Sequence, residues 1–155
     1  MNATIHRMED SLPSLDGERK VVSVLFADIV RSSDMVAGKD TEDANDHLLP
    51  VLQTMIDAVH RFGGTVNQIL GDGIMAVFGA PMAQEDHAAR ASLAAHAMQQ
   101  AAGRLLARHP DPVVRNQAIR VGISSGEVVA QVMRGDLHTE YRIVGEAVYR
   151  AARLE

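Results

Sequence analysis

Two kinds of apolar pattern alternate along this chain, and the alternation predicts its elements. From Val21 to Ile29 the residues are apolar and β-branched almost throughout, the pattern of a strand covered on both faces. Beyond a loop at 31–39, Thr41-Glu-Asp-Ala places acids in the first turn of a helix. Leu48, Leu49, Leu52, Met55, Ile56, Val59 and Phe62 then recur at helical spacing. Pro50 belongs near a first turn or at a kink, and Gly63-Gly64 stops the helix. Residues 65–70 and 74–78 read as strands about a tight turn at Gly71-Asp72-Gly73, with Asp72 at the hairpin tip. Ala80-Pro81 breaks the chain. Residues 85–106 then form an Ala-rich helix with Leu93, Ala97, Met98, Ala101 and Leu105 along one face, ended by His109-Pro-Asp-Pro112. Residues 119–124 and 127–133 read as a second strand pair about Ser125-Gly126, 141–144 as a short edge strand and 145–155 as a helix. This order predicts an α+β sandwich, a mainly antiparallel sheet with helices packed on one face. Residues 1–20 mix Ser, Pro, Gly and charge without period and are expected to be a leader or linker, so the domain is expected to span 21–155.

Composition narrows the classes open to such a domain. A chain of 155 residues, 46% hydrophobic and 23% charged, has the make-up of a single globular domain rather than a disordered segment. Its formal charge of -5 offers no basic field for nucleic acid, so a bound anion must be held by local donors and metal. Cysteine is absent, which excludes disulfides and thiolate zinc sites. The seven histidines are scattered, no pair has the i, i+4 spacing of a helical metal site, and they are expected on surfaces and helix faces. No apolar run approaches the roughly 18 residues needed to span a bilayer, and the first residues lack the form of a signal peptide. The expected location is cytoplasmic.

Candidate chemistry lies where the two apolar halves end in acids. Val21-Val-Ser-Val-Leu-Phe-Ala-Asp28 and Gln68-Ile-Leu-Gly71-Asp72-Gly73-Ile-Met-Ala-Val-Phe each deliver one aspartate from a strand end. Such a carboxylate needs a cation, donors or solvent. Two brought together would repel, and a divalent ion with a taste for hard oxygen, Mg²⁺ or Mn²⁺, is the natural remedy. The plainer reading of the same residues is a strand terminus and an Asp-Gly hairpin turn.

Four segments in register carry a resemblance. They are Phe26-Ala-Asp28-Ile-Val-Arg-Ser32-Ser33, Gly71-Asp72-Gly-Ile-Met-Ala-Val-Phe-Gly79, Arg120-Val-Gly-Ile-Ser-Ser-Gly-Glu-Val-Val, and Gly145-Glu-Ala-Val-Tyr-Arg-Ala-Ala-Arg153-Leu-Glu. In order and spacing they resemble the successive motifs of the class III adenylate/guanylate cyclase catalytic domain, from about Val21 to the last residue. The resemblance implies a ferredoxin-like core and a reaction in which the ribose 3′-hydroxyl of ATP, or of GTP, attacks its own α-phosphate and expels pyrophosphate. It implies two Mg²⁺ or Mn²⁺ ions on Asp28, Asp72 and the Ile29 carbonyl. The amides after Asp28, with Ser32 and Ser33, would cradle phosphates. A homodimer is implied, with metal ligands from one protomer and base-reading and transition-state residues from the other. Arg153 matches the arginine that stabilises charge on the α-phosphate, a role suited to a guanidinium. The resemblance also implies further strands beyond this sequence, including a triphosphate-binding lysine, so the chain is expected to be a fragment of the domain.

Four positions depart from the family pattern. Gln68 replaces the adenine-reading lysine, Arg142 its Asp or Thr partner, Tyr149 the transition-state asparagine, and Arg31 a frequent glycine. Gln68 still offers donor and acceptor, whereas Arg142 is donor-only and suits a carbonyl. The departures point to a slow or relaxed-specificity cyclase, and they also frame an alternative: a noncatalytic module that binds nucleotide or dimerises to regulate a neighbouring domain. A diguanylate cyclase of the Gly-Gly-Asp-Glu-Phe type shares the metal logic, but this chain lacks that loop.

Overall fold

The computed structural model describes residues 17–134 and 139–155; residues 1–16 of the expected leader lie outside them. Five strands and five helices follow in the order β1 (Gly17–Ile29), α1 (Ser32–Val36), α2 (Thr41–Arg61), β2 (Thr65–Leu70), β3 (Gly73–Phe78), α3 (His87–Ala107), α4 (Pro112–Arg115), β4 (Ile119–Arg134), β5 (Thr139–Val144) and α5 (Glu146–Leu154). The strands form one antiparallel sheet in the order β2-β3-β1-β4-β5.

Strand β1 is central and buried on both sides, as its unbroken apolar run requires. Leu25, Ala27 and Ile29 face α2 and α3, together with Ile74, Ala76 and Phe78 of β3. The intervening Val22, Val24 and Phe26 face the other way, where Ala147 and Ala151 of α5 cover them. The expected antiparallel sandwich is therefore present with the two long helices on one face, and α5 adds a cover to the opposite face.

Helix α2 begins at an N-cap, Asp40, whose carboxylate accepts from the Asp43 amide at 3.0 Å. Pro50 sits inside this helix rather than at its first turn. The buried residues are Val51, Leu52, Met55, Ala58 and Val59, and Leu49, expected inward, is exposed. On α3 the buried face is Ala91, Ala94, Met98, Ala102 and Leu106, while Leu93 and Leu105 point out. The inner stripe is thus turned from the one the leucines marked: alanines let α3 lie close to the sheet and to α2, and leucines there would hold them apart.

The largest difference from expectation is β4. Ser125-Gly126 does not turn; the strand runs unbroken through it, paired with β1 from Ile119↔Ile29 to Gln131↔Gly17. Ser125 Oγ lies 2.6 Å from Ser23 Oγ on the partner strand, and Ser23 Oγ lies 2.7 Å from His87 Nδ1 on α3, so the serines serve a part-buried polar link that satisfies the buried Ser23 hydroxyl. A Cβ on Gly122 would lie 2.4 Å from the Ala151 carbonyl oxygen. That glycine is where the backbone of α5 rests on the sheet.

Lys39 and Asp111 join the loop after α1 to the N-cap of α4, with Nζ and Oδ2 2.9 Å apart. The Lys39 hydrogen bond, then the Val113 amide, hold the Asp111 carboxyl below its ordinary value. A depressed folded-state pKa contributes stability above the unfolded value of about 3.9, and that contribution is lost as pH falls through the folded value. Thermal melts of Lys39→Met and the parent are therefore expected to differ at pH 6 and to converge as the pH drops toward 3; a constant gap would refute the linkage.

Candidate active site

The strand ends bring the two aspartates together. Asp28, the penultimate residue of β1, stands opposite Gly73 on one side and Arg120 on the other. Asp72 precedes Gly73 at the hairpin tip, and its carbonyl accepts from the Ile29 amide at 3.3 Å. A Cβ on Gly73 would come within 2.3 Å of the Ala27 carbonyl oxygen, so only glycine lets the hairpin press this closely on β1. Ser32 Oγ donates to Asp72 Oδ2 at 2.5 Å, tying the start of α1 to the same corner.

Arg120 supplies the cation that this corner requires. Its Nε and Nη2 donate to Asp28 Oδ1 and Oδ2 at 3.1 and 2.7 Å, a two-pronged pairing. Glu155 lies nearby: burial, then the Asp28 charge, push its carboxyl above the ordinary value, with Arg120 opposing and Asp72 adding to the rise. Sequence reasoning gave neither residue a role. Arg120 opened a quoted motif, but only the register of β4 against β1 reveals what it faces.

Two expected phosphate donors are already engaged. The Ile29 amide goes to Asp72, and the Val30 amide donates to the Ala118 carbonyl at 2.8 Å. The cradle read from the amides after Asp28 is thereby narrowed to the start of α1, where Ser32 is half-buried and Ser33 exposed. Arg31 takes a left-handed conformation, φ 57°, a region that favours glycine. Its side chain turns to Asp34, Nε to Oδ2 2.9 Å.

The donor set suits a hard divalent ion. Among the described residues no three His, Asp or Glu side chains gather as a metal cluster. Two carboxylates at one corner, with Ile29 offering only backbone because its side chain is in the core, match the few protein ligands that Mg²⁺ takes beside substrate phosphates. Three of the histidines are engaged elsewhere, His87 with Ser23 and His47 edge-on to His109 at 4.7 Å between ring centroids.

Gln68 and Arg142 share a second place. They line a cleft of about 420 Å³ floored by Phe26 and Met75. Although β2 and β5 are the two edges of the sheet, the sheet curls enough to set them across one concavity. A bulge between Val66 and Gln68 disturbs the alternation of β2, and Asn67 lines the cleft beside Gln68. Tyr149 and Arg153 lie one turn apart on the exposed side of α5, opposite the buried Ala147 and Ala151. Neither makes a hydrogen bond or ion pair among the described residues.

Solved structures share this fold. The crystal structure of the adenylyl cyclase CyaB from P. aeruginosa superposes with a TM-score of 0.77 at 28% identity, covering 91% of this chain and 74% of that one. The guanylate cyclase domain of RhGC from Catenaria anguillulae, solved in complex with GTP, gives 0.73 at 28% identity over 89% of this chain and 74% of that one. The uncharacterised protein Rv1320c of Mycobacterium tuberculosis is 33% identical over 94% of this chain, which spans only 24% of that relative's length. No helix among the described residues is long and apolar enough to cross a membrane. Residues 16–155 match the adenylate and guanylate cyclase catalytic domain, and the chain belongs to that family.

Proposed function

We propose that this domain is a purine nucleotide cyclase that converts ATP to 3′,5′-cyclic AMP and pyrophosphate at the interface of a homodimer. The observation that carries the reading is the meeting of two strand ends at one corner, with Asp28 opposite Gly73 and the adjacent Asp72 carbonyl accepting from the Ile29 amide. In the reaction the 3′-oxygen forms a bond to the α-phosphorus, the bond to the β-phosphate oxygen breaks, and the hydroxyl proton leaves to solvent. Bound Mg²⁺ or Mn²⁺ would neutralise phosphate charge and lower the pKa of the 3′-hydroxyl. Asp28 and Asp72 would hold those ions, with the Ile29 carbonyl, while Ser32 and Ser33 orient the terminal phosphates. Arg153 would fix charge on the α-phosphate, and Tyr149 would direct its hydroxyl to the same group.

A second copy is supported by what α5 presents. Tyr149 and Arg153 point outward without partners among the described residues, which leaves them available to meet a triphosphate held by another protomer. Gln68 and Arg142 would hold the purine in the cleft. Gln68→Ala is expected to raise KM for the triphosphate about tenfold with a smaller change in kcat, as loss of one hydrogen bond to a base should.

The deciding assay incubates the protein with ATP or GTP and Mn²⁺ and resolves products by chromatography. Cyclic AMP formation supports the reading. Metal-dependent triphosphate binding without turnover, measured by calorimetry, would replace it with a noncatalytic nucleotide-binding module, and absence of both would end it.

A further inference from the structure

Strand β2 turns two consecutive amides into one cleft. Val66 stands opposite Ala76 and packs toward the helices, and in a regular strand residue 68 would follow it to that face. The bulge breaks this alternation: Asn67 is the extra residue, and Gln68 moves opposite Met75, whose side chain belongs to the other face. Asn67 points the same way, its amide nitrogen 4.0 Å from Met75 Sδ, and both amides line the cleft with Arg142 across from them.

The two walls differ in what they can accept. Arg142 has donors alone, so it can meet the ring nitrogens or a carbonyl of a purine but not an amino group. Adenine carries one donor group on its base, the 6-amino group, which must find its acceptor elsewhere. Phe26 and Met75 offer nothing better than a thioether, the Thr65 hydroxyl is turned to the Ala80 carbonyl, and Tyr141 packs against the apolar cluster under α5. The side-chain carbonyls of Asn67 and Gln68 remain. Asn67 is half-buried on a short stem beside the floor, and its side chain's one hydrogen bond among the described residues is the long contact to sulfur, a weak acceptor. Gln68 is exposed on a longer stem. We propose that Asn67 is the specificity-determining residue of the cleft, its side-chain carbonyl accepting from the 6-amino group of an adenine base. The proposal rests on the cyclase reading and adds to it how the base is told from one that lacks the amino group.

The test is a cycle that deletes the acceptor from the protein and the amino group from the nucleotide. ATP and purine riboside triphosphate, which carries hydrogen in place of the amino group, are compared in the presence of Mn²⁺, as affinities by calorimetry and as kcat/KM; thermal melts check the folding of each variant. The parent is expected to prefer ATP about tenfold, the scale of one neutral hydrogen bond, and Asn67→Leu to lose that preference by weakening ATP alone. Asn67→Asp keeps the acceptor and is expected to keep the preference, while Gln68→Ala is expected to weaken both nucleotides alike. A preference that survives in Asn67→Leu, or vanishes in Asn67→Asp or in Gln68→Ala, would overturn the role of Asn67 and leave the cyclase reading standing. So would a parent that shows no such preference, or one that takes GTP and not ATP. A parent that neither binds nor turns over ATP or GTP ends the cyclase reading, and the proposal with it.

Discussion

Asp28→Asn is expected to lower cyclase turnover by about 10³-fold or more, the scale of losing a charged group that organises the transition state. Asparagine matches aspartate in shape, so the β1 ladder opposite Gly73 and Arg120 is preserved. What disappears is the negative charge that would hold an ion and that now pairs with Arg120. Because that pair is partly exposed, its loss should cost no more than about 1 kcal/mol of stability. Activity and folding are therefore expected to separate: kcat collapses in a product assay while the melting temperature barely moves. Turnover within tenfold of the parent would show that Asp28 is no metal ligand.

The second large effect falls on stability. Phe78 ends β3, is wholly buried, and belongs to the cluster between sheet and helices. Its ring lies 2.6 Å from where a Cβ on Gly64 would stand, so the turn after α2 closes directly on it. Phe78→Ala removes the ring from a site whose neighbours are rigid backbone on one side and strand on the other, and the void has little way to collapse. The expected cost is about 3–5 kcal/mol in urea unfolding. A loss below about 1 kcal/mol would mean that the α2–β2 turn repacks freely, contrary to the close contact seen.

How much of this was legible depended on how local each signal was. The run of β1 announced a strand covered on both faces, and helical spacing with Thr41 and Gly63 at its ends marked α2 closely. The Gly71-Asp72 hairpin stood where turn chemistry placed it. Ser125-Gly126 misled because its turn propensity is weaker than a ladder to β1 reinforced by Ser23 and His87, and nothing near it in sequence reveals that ladder. Leu93 and Leu105 misled because hydrophobicity alone could not show that α3 needs small residues where it meets its neighbours. For the candidate site, Asp28 and Asp72 were visible as acids at strand ends. Arg120 and Glu155 were not, since a cross-strand partner is defined by register, which sequence does not carry. Gln68 and Arg142 share a cleft through the curl of a sheet at whose edges they lie, and only the family resemblance pointed to them together.

The contact at Gly122 has a mechanical corollary. Side-chain layers between a helix and a strand can deform and absorb small displacements, but here peptide meets peptide with no such cushion. A shear or tilt imposed on β4 would be passed directly to the backbone of α5, from whose outward face Tyr149 and Arg153 project. The backbone from which those two side chains project is thus placed by the position of a strand.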